Sequence, residues 1–148
     1  MQKYLIRNIE VNPEYYLGNN IEVRENNTIK ISSKKYIAEV LRKYEEKYGS
    51  LKKENVPAKP DDHPESDDTP FLDHKGITRF QSVMGIRQWI STSGRFDITF
   101  EVANLSRFAH SPREGHLKRA EKIFGYLKKY TKRGYIIDPR NPIVNIEY

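Results

Sequence analysis

Hydrophobic spacing changes character several times along the chain. From residue 3 to residue 31, short β-type runs (YLIRNIEV, then YYLGNNIEVRENNTIKIS) alternate with turn signals such as NPE. Asn26 and Asn27, flanked by IEV and TIKI, predict a β-hairpin turn, because asparagine tolerates positive φ. Over residues 33–48 the period becomes helical. Tyr36, Ile37, Val40, Leu41, Tyr44 and Tyr48 recur on one face, Ser32 or Ser33 stands where an N-cap belongs, and Gly49 terminates the run. From 55 to 73 no period survives. Pro57, Pro60, Pro64 and Pro70 remove backbone donors, and acidic residues crowd between Asp61 and Asp73, so this stretch reads as a loop or linker.

Residues 78–132 return to a helical period in three segments. Thr78 and Gln81 have capping-box spacing ahead of Phe80, Val83, Met84, Ile86, Trp89 and Ile90. Asp97 is placed to cap a helix carrying Ile98, Val102, Leu105 and Phe108. Ser111, Pro112 and Glu114 then spell the clearest helix start, with hydroxyl at N-cap, proline at N1 and carboxylate at N3. On this third helix Leu117, Ala120, Ile123, Phe124, Leu127 and Tyr130 share an arc of about 140°. Lys118, Lys122, Lys129, Lys132 and Arg133 gather within about 100° opposite, with Gly125 in their midst. Ile136 and Ile137 predict a short strand before Pro-punctuated coil. The expected fold is α+β: an N-terminal β-hairpin (1–32), a linking helix (33–49), an acidic Pro-rich linker (50–76), a small helical bundle (77–134) and a tail (135–148).

With 148 residues there is material for one modest core. The mean hydropathy of −0.82 is low for a folded chain, yet ten Tyr, six Phe and one Trp supply the apolar surface that a disordered tail lacks. There is no cysteine, so disulfides and thiolate metal sites are excluded. The absence of an 18-residue apolar run and of a secretory h-region in MQKYLIRNIEV sets the expectation of a soluble protein with no membrane association. The lack of cysteine is compatible with an intracellular, reducing compartment, cytoplasmic or nuclear. Net charge is +6, and residues 113–133 alone carry eight basic and two acidic side chains, a local +6. All of the excess sits on one helix, which is the strongest sequence signal for a polyanionic partner.

Paired carboxylates at Asp67 and Asp68 raise the question of a magnesium site. Such a site needs carboxylates converging from separate rigid elements, and neighbours on an extended chain point apart. A solvated acidic loop, with an Asp-Thr-Pro turn leading into the next segment, is the better reading. His63, His74, His110 and His116 lack helical ligand spacing and read as surface or packing histidines, and no P-loop or nucleophile elbow is present. No catalytic or metal-ligating residue is therefore assigned. The basic face is suited to phosphate contacts, with Gly125 allowing close backbone approach to a polyanion, although such a face is as often simply solvated. Tyr15 and Tyr16 have the chemistry to stack on bases, though pattern alone favours their packing the hairpin.

Five blocks in order, YYLGNNIEV (15–23), ISSKKYIAEVL (31–41), HPESDDTPFLD (63–73), RFQSVMGIRQWISTSGRFDITFEVANLSRF (79–108) and SPREGHLKRAEKIFGYLKKY (111–130), resemble the reverse transcriptase of copia-type LTR retrotransposons, especially the branch found in algae and diatoms. The resemblance runs from about residue 15 to residue 140. It implies an RNA-directed DNA polymerase fragment covering the end of the palm, the thumb and the start of the connection. Tyr15, Tyr16, Leu17 and Gly18 match the primer-grip hairpin. Lys118, Lys122, Lys129, Lys132 and Arg133 would hold the phosphates of an RNA–DNA or DNA primer-template duplex. Phe80, Gly85, Trp89 and Arg95–Ile98 look like the thumb helices, with Arg95-Phe96-Asp97-Ile98 departing from the commoner Arg-Pro-Asp-Ile. The family's Tyr-x-Asp-Asp motif does not occur here, so the resemblance assigns no cofactor to this chain. Magnesium would belong to the missing palm, and the missing palm and ribonuclease H portions of the polyprotein are expected partners. Apart from the palm, the hairpin is expected to expose an edge and an apolar face. The rival from another class is a domesticated or degenerate element fragment acting as a protein-interaction module.

Overall fold

The computed structural model describes residues 13–138 and residue 140. It is an α+β fold in which a four-stranded antiparallel sheet, ordered β1-β2-β3-β4, abuts a helical bundle. The strands are β1 (Tyr15–Tyr16), β2 (Asn19–Val23), β3 (Ile29–Ser32) and β4 (Tyr135–Ile137). The predicted Asn26–Asn27 turn closes β2 onto β3, pairing Val23 with Ile29. Asn27 takes φ +60°, and the Asn26 side chain accepts from the Thr28 N–H and hydroxyl. A second turn escapes the sequence pattern. Leu17 and Gly18 both have positive φ, +45° and +81°, and form a two-residue connection between Tyr16 and its partner Asn19. The strand expected around Ile136 finds its partner in β3, where Ile31 faces Tyr135, so the two ends of the described chain share one sheet.

Helix α1 (Lys34–Tyr48) buries Ile37, Leu41 and Tyr44 as its period requires. Its N-terminal donors are satisfied from the sheet. Ser33, at the N-cap position, turns its hydroxyl to Asn19 Oδ1 at 2.7 Å, and the buried Asn20 accepts from the Lys35 N–H at 3.1 Å. The cap thus comes from β2 and not from Ser32 or Ser33, and it locks the hairpin to the helix. Helix α2 (His74–Thr92) starts four residues before Thr78, because Asp73 accepts from the Gly76 N–H at 2.7 Å and provides the cap. Its core face carries Phe80, Val83, Met84 and Ile90, while Trp89 faces solvent and Arg87 is buried. A 3₁₀ turn at Phe96–Ile98 leads into α3 (Thr99–Ser106), which lacks a side-chain cap. Asp97 is engaged elsewhere.

Helix α4 (Glu114–Lys129) is the hub, packed against α1, α2 and α3. Its buried residues include the predicted Ala120, Ile123, Phe124 and Leu127, and also Gly125 and Tyr126, so its covered arc is wider than the hydrophobic pattern shows. The cover is the segment following α1. Residues 50–73 run antiparallel to α4 as a strap: Lys128 donates to Glu45 and the Leu51 carbonyl, and Lys129 to Asn55. Glu54 N–H bonds the Gly125 carbonyl, Arg119 binds Asp62 and Asp67, and the His116 ring bonds the Pro64 carbonyl. At the helix start, Thr69 Oγ1 accepts from the Gly115 N–H and the Pro70 carbonyl from the Glu114 N–H, while His116 Nδ1 accepts from the Arg113 N–H. These acceptors do what Ser111 was expected to do, which is why the helix begins at Glu114. Between residues 55 and 73 there are six acidic residues and one lysine, opposite the most basic helix in the chain.

Gly125 shows how tight this strap is. A Cβ there would collide with the Lys52 carbonyl, so the close approach expected for a polyanion is made by the chain's own backbone. Gly125→Ala is expected to destabilise by about 1–3 kcal/mol, the usual effect of overpacking. Gly85, on α2, meets nothing within 4 Å of its Cβ position. Gly85→Ala is therefore expected to stabilise by up to about 1 kcal/mol through helix propensity. Urea denaturation of both variants checks the opposite signs.

Candidate nucleic-acid interface

The β1–β2 tip is an exposed apolar feature of the sheet. Tyr15, Tyr16 and Leu17 are 44%, 60% and 64% exposed, so the tyrosines do not pack the hairpin as the pattern favoured. The Lys35 ammonium lies 5.6 Å from the Tyr15 ring centroid. Leu17 is doubly costly, since a branched side chain is held at positive φ and left in water. The tip is fixed in place by its neighbour, with the Gly18 Cβ position 3.3 Å from the Trp89 indole nitrogen, so only glycine fits without displacement. Trp89 is itself exposed and continues on α2 toward Gly85 and Gln81, an uncharged stripe at i, i+4, i+8. The hairpin tip and this stripe form one continuous surface.

The expected α4 cations are divided by the strap. Lys118 and Lys122 line a cleft of about 320 Å³ with Lys52, Glu54 and Glu121, and Lys122 also neighbours Glu101. Lys129, Lys132 and Arg133 lie beyond the point where the Lys52 carbonyl covers Gly125, around a separate recess at the helix C-terminus. Lys118, Lys122 and Lys132 have no ion-pair partner among the described residues. Arg133 is preorganised, stacked 3.8 Å from the Tyr130 ring centroid and donating to the Tyr126 hydroxyl at 2.7 Å. Of the other basic side chains on this helix, Arg119 and Lys128 are committed to internal carboxylates.

That tyrosine belongs to a network that fixes the α2–α3 corner. Arg95, fully buried, donates through Nε and Nη2 to both oxygens of Asp97 at 2.9 and 2.8 Å, and through Nη1 to the Tyr130 carbonyl. Tyr126 donates to Asp97 Oδ2 at 2.7 Å. Burial pushes the Asp97 carboxyl up, but the bonds from Arg95 and Tyr126 outweigh it and hold it below the ordinary value. Residue 96 points outward, so Arg95 and Asp97 define the corner and Phe96 leaves it undisturbed.

Asp67 and Asp68 separate as neighbours on an extended chain should, Asp68 exposed and the Asp67 side chain only 3% exposed. Asp67 accepts from Thr69 and Arg119, so it is not the solvated carboxylate expected from the sequence, and its role is to anchor the strap. Among the described residues no group of three or more metal-ligating side chains comes together, and no helix is long and apolar enough to cross a membrane. His116 packs, stacked 4.2 Å from Phe108. The contribution of Lys52 to the Lys118–Lys122 cleft was missed from the sequence, because nothing in a Pro-rich stretch tells where it will lie.

The chain is similar in sequence to a transposon protein. Over 126 residues, 85% of this chain, it is 32% identical to the transposon Ty5-1 protein of Saccharomyces cerevisiae. It spans 39% of that relative's length. No protein-family model and no solved structure matches the chain. The similarity agrees with the transposable-element setting that the five sequence blocks suggest.

Proposed function

We propose that the chain is the primer-template-holding portion, the thumb and its flanks, of a copia-type retrotransposon reverse transcriptase. It would serve RNA-directed DNA synthesis with the catalytic aspartates and their magnesium supplied by the missing palm. The observation that carries this reading is the strained, exposed tip Tyr15–Gly18 seated against Trp89 and continuous with the uncharged α2 stripe. Aromatic and small side chains there suit a base-pair edge or the primer terminus, while Lys118, Lys122, Lys129, Lys132 and Arg133 offer phosphate contacts. The kinship with a transposon protein supports the setting.

Binding of an RNA–DNA primer-template, measured against salt, tests it. Each phosphate neutralised on a duplex adds about 0.9 to the slope of log K against log salt. Leu17→Gly is expected to relieve the positive-φ strain and raise stability by up to about 1 kcal/mol, while weakening primer-template binding. Absent or salt-independent binding would rule out the nucleic-acid role. Phe96 and Phe100, 64% and 76% exposed, favour the second reading, a protein-interaction module in a domesticated element. That reading predicts that substituting both with serine leaves the salt slope unchanged and removes a protein contact.

A further inference from the structure

Away from the hairpin tip and the α4 lysines, an open cleft of about 530 Å³ lies between the end of α1 and the first turns of α2. Lys47, Lys75 and Arg79 line it together with Tyr48 and Ser82, and no carboxylate does. Arg79 is held rigidly. Its Nε and Nη2 donate to the Tyr44 hydroxyl at 3.1 and 2.6 Å, Nη2 also reaches Glu121, and its guanidinium carbon sits 3.9 Å from the Tyr48 ring centroid. These bonds leave Nη1 without a partner among the described residues. The Lys47 ammonium lies 5.1 Å from the centroid of the same Tyr48 ring, and Lys75 forms no ion pair among the described residues. The Ser82 hydroxyl likewise has no partner there, whereas Thr78 spends its proton on the His74 carbonyl.

We propose that this cleft binds a terminal phosphate monoester, the 5′-phosphate of a nucleic-acid strand. Three cations converge, and Glu121 behind Arg79 offsets about one of them, leaving a charge near +2. A monoester carries about −1.5 to −2 at neutral pH, with three acceptor oxygens for a fixed arginine, two exposed lysines and a hydroxyl. An internal phosphodiester carries a single charge and would leave about half of that positive charge unmatched. The strand as the source of phosphate rests on the function proposed above; the affinity of the cleft for the group does not.

The test uses the full chain and two single-stranded oligonucleotides of one sequence, one with a 5′-phosphate and one with a 5′-hydroxyl. Fluorescence anisotropy is expected to show the phosphorylated strand bound about tenfold more tightly, the effect of one charge-assisted hydrogen bond. In Lys47→Ala with Lys75→Ala, both exposed and outside the core, the preference is expected to vanish while binding of the hydroxyl strand stays within about twofold. Equal affinity of the parent chain for both strands, or a preference that survives the double substitution, overturns the proposal. If neither strand binds, the nucleic-acid reading falls, and inorganic phosphate titrated at millimolar concentration decides the site separately. Amide shifts at Lys75, Arg79 and Ser82 in an NMR spectrum then support a phosphate monoester site, and their absence removes it.

Discussion

Arg119→Ala is expected to destabilise the protein by about 3 kcal/mol and to free the strap while leaving the sheet paired. Arg119 donates from Nε to Asp62 at 2.8 Å and from Nη1 to Asp67, whose side chain is almost fully enclosed. Removing a partner from a buried pair leaves an uncompensated charge, worth about 3–5 kcal/mol when both ions are buried. The lower figure applies because a quarter of the Arg119 side chain reaches solvent. Against a typical total of about 5–15 kcal/mol, the loss is large enough to appear as a lower urea midpoint. Hydrogen exchange should locate it, with protection lost at Leu72, Glu114 and Gly115, whose amides bond across the strap. Unchanged exchange at those amides would mean that the prolines alone hold the strap.

Acid should act on the same contact. Burial pushes the Asp67 carboxyl up, but hydrogen bonds from Thr69 and Arg119 more than reverse this and keep it below the ordinary 3.8. Asp97 shifts the same way. A carboxylate with a depressed folded value stabilises the fold above its unfolded value, and that stability is lost as pH falls through the folded one. The strap and the α2–α3 corner should therefore hold at neutral pH and weaken below about pH 3.8. In Asp67→Asn the part of this dependence belonging to the strap should disappear.

Arg87→Met is expected to do the opposite and stabilise the protein by about 1–4 kcal/mol, the range seen when buried ionic groups give way to well-packed apolar ones. Arg87 is fully buried between α2 and α4. One of its nitrogens bonds the Ala120 carbonyl, another faces the Met84 sulfur at 3.9 Å, and Nε has no partner. No carboxylate pairs with it among the described residues, and burial pulls its pKa down to about 9, partly offset by Tyr44 and Glu121. Methionine keeps an unbranched chain against the Phe124 ring, which the guanidinium now covers at 3.9 Å, and needs no counter-charge. A higher urea midpoint with an unchanged m-value is the expected result. A lower one would show that the stacked guanidinium and its bond to Ala120 outweigh the cost of burying its charge.

The sequence made the elements legible wherever one face was consistently apolar. Ile37, Leu41 and Tyr44 named the buried side of α1, Ala120, Ile123, Phe124 and Leu127 that of α4, and Asn26–Asn27 the main hairpin turn. Helix starts were less legible, because a cap needs an acceptor within reach and sequence spacing sees only nearby ones. The acceptors at α1 and α4 come from Asn20 and from Thr69 and Pro70, residues distant in the chain. The Leu17–Gly18 turn escaped the residue pattern, because leucine is a poor guide to positive φ, and only the resemblance to a primer-grip hairpin pointed to it.

Local periodicity, proline placement and charge were enough to set the α+β order of elements, the faces that would pack and the helix that would carry the excess charge, since each depends on residues a few positions apart. Where the acidic segment lies, which lysines stay unpaired, how the hairpin tip meets Trp89 and which end of the chain completes the sheet were decided only by the tertiary structure. Those outcomes depend on which distant groups can satisfy one another once the core has closed. A strap with spare carboxylates and carbonyls finds a helix with spare cations and N–H groups through three-dimensional proximity, which no periodicity in the chain encodes.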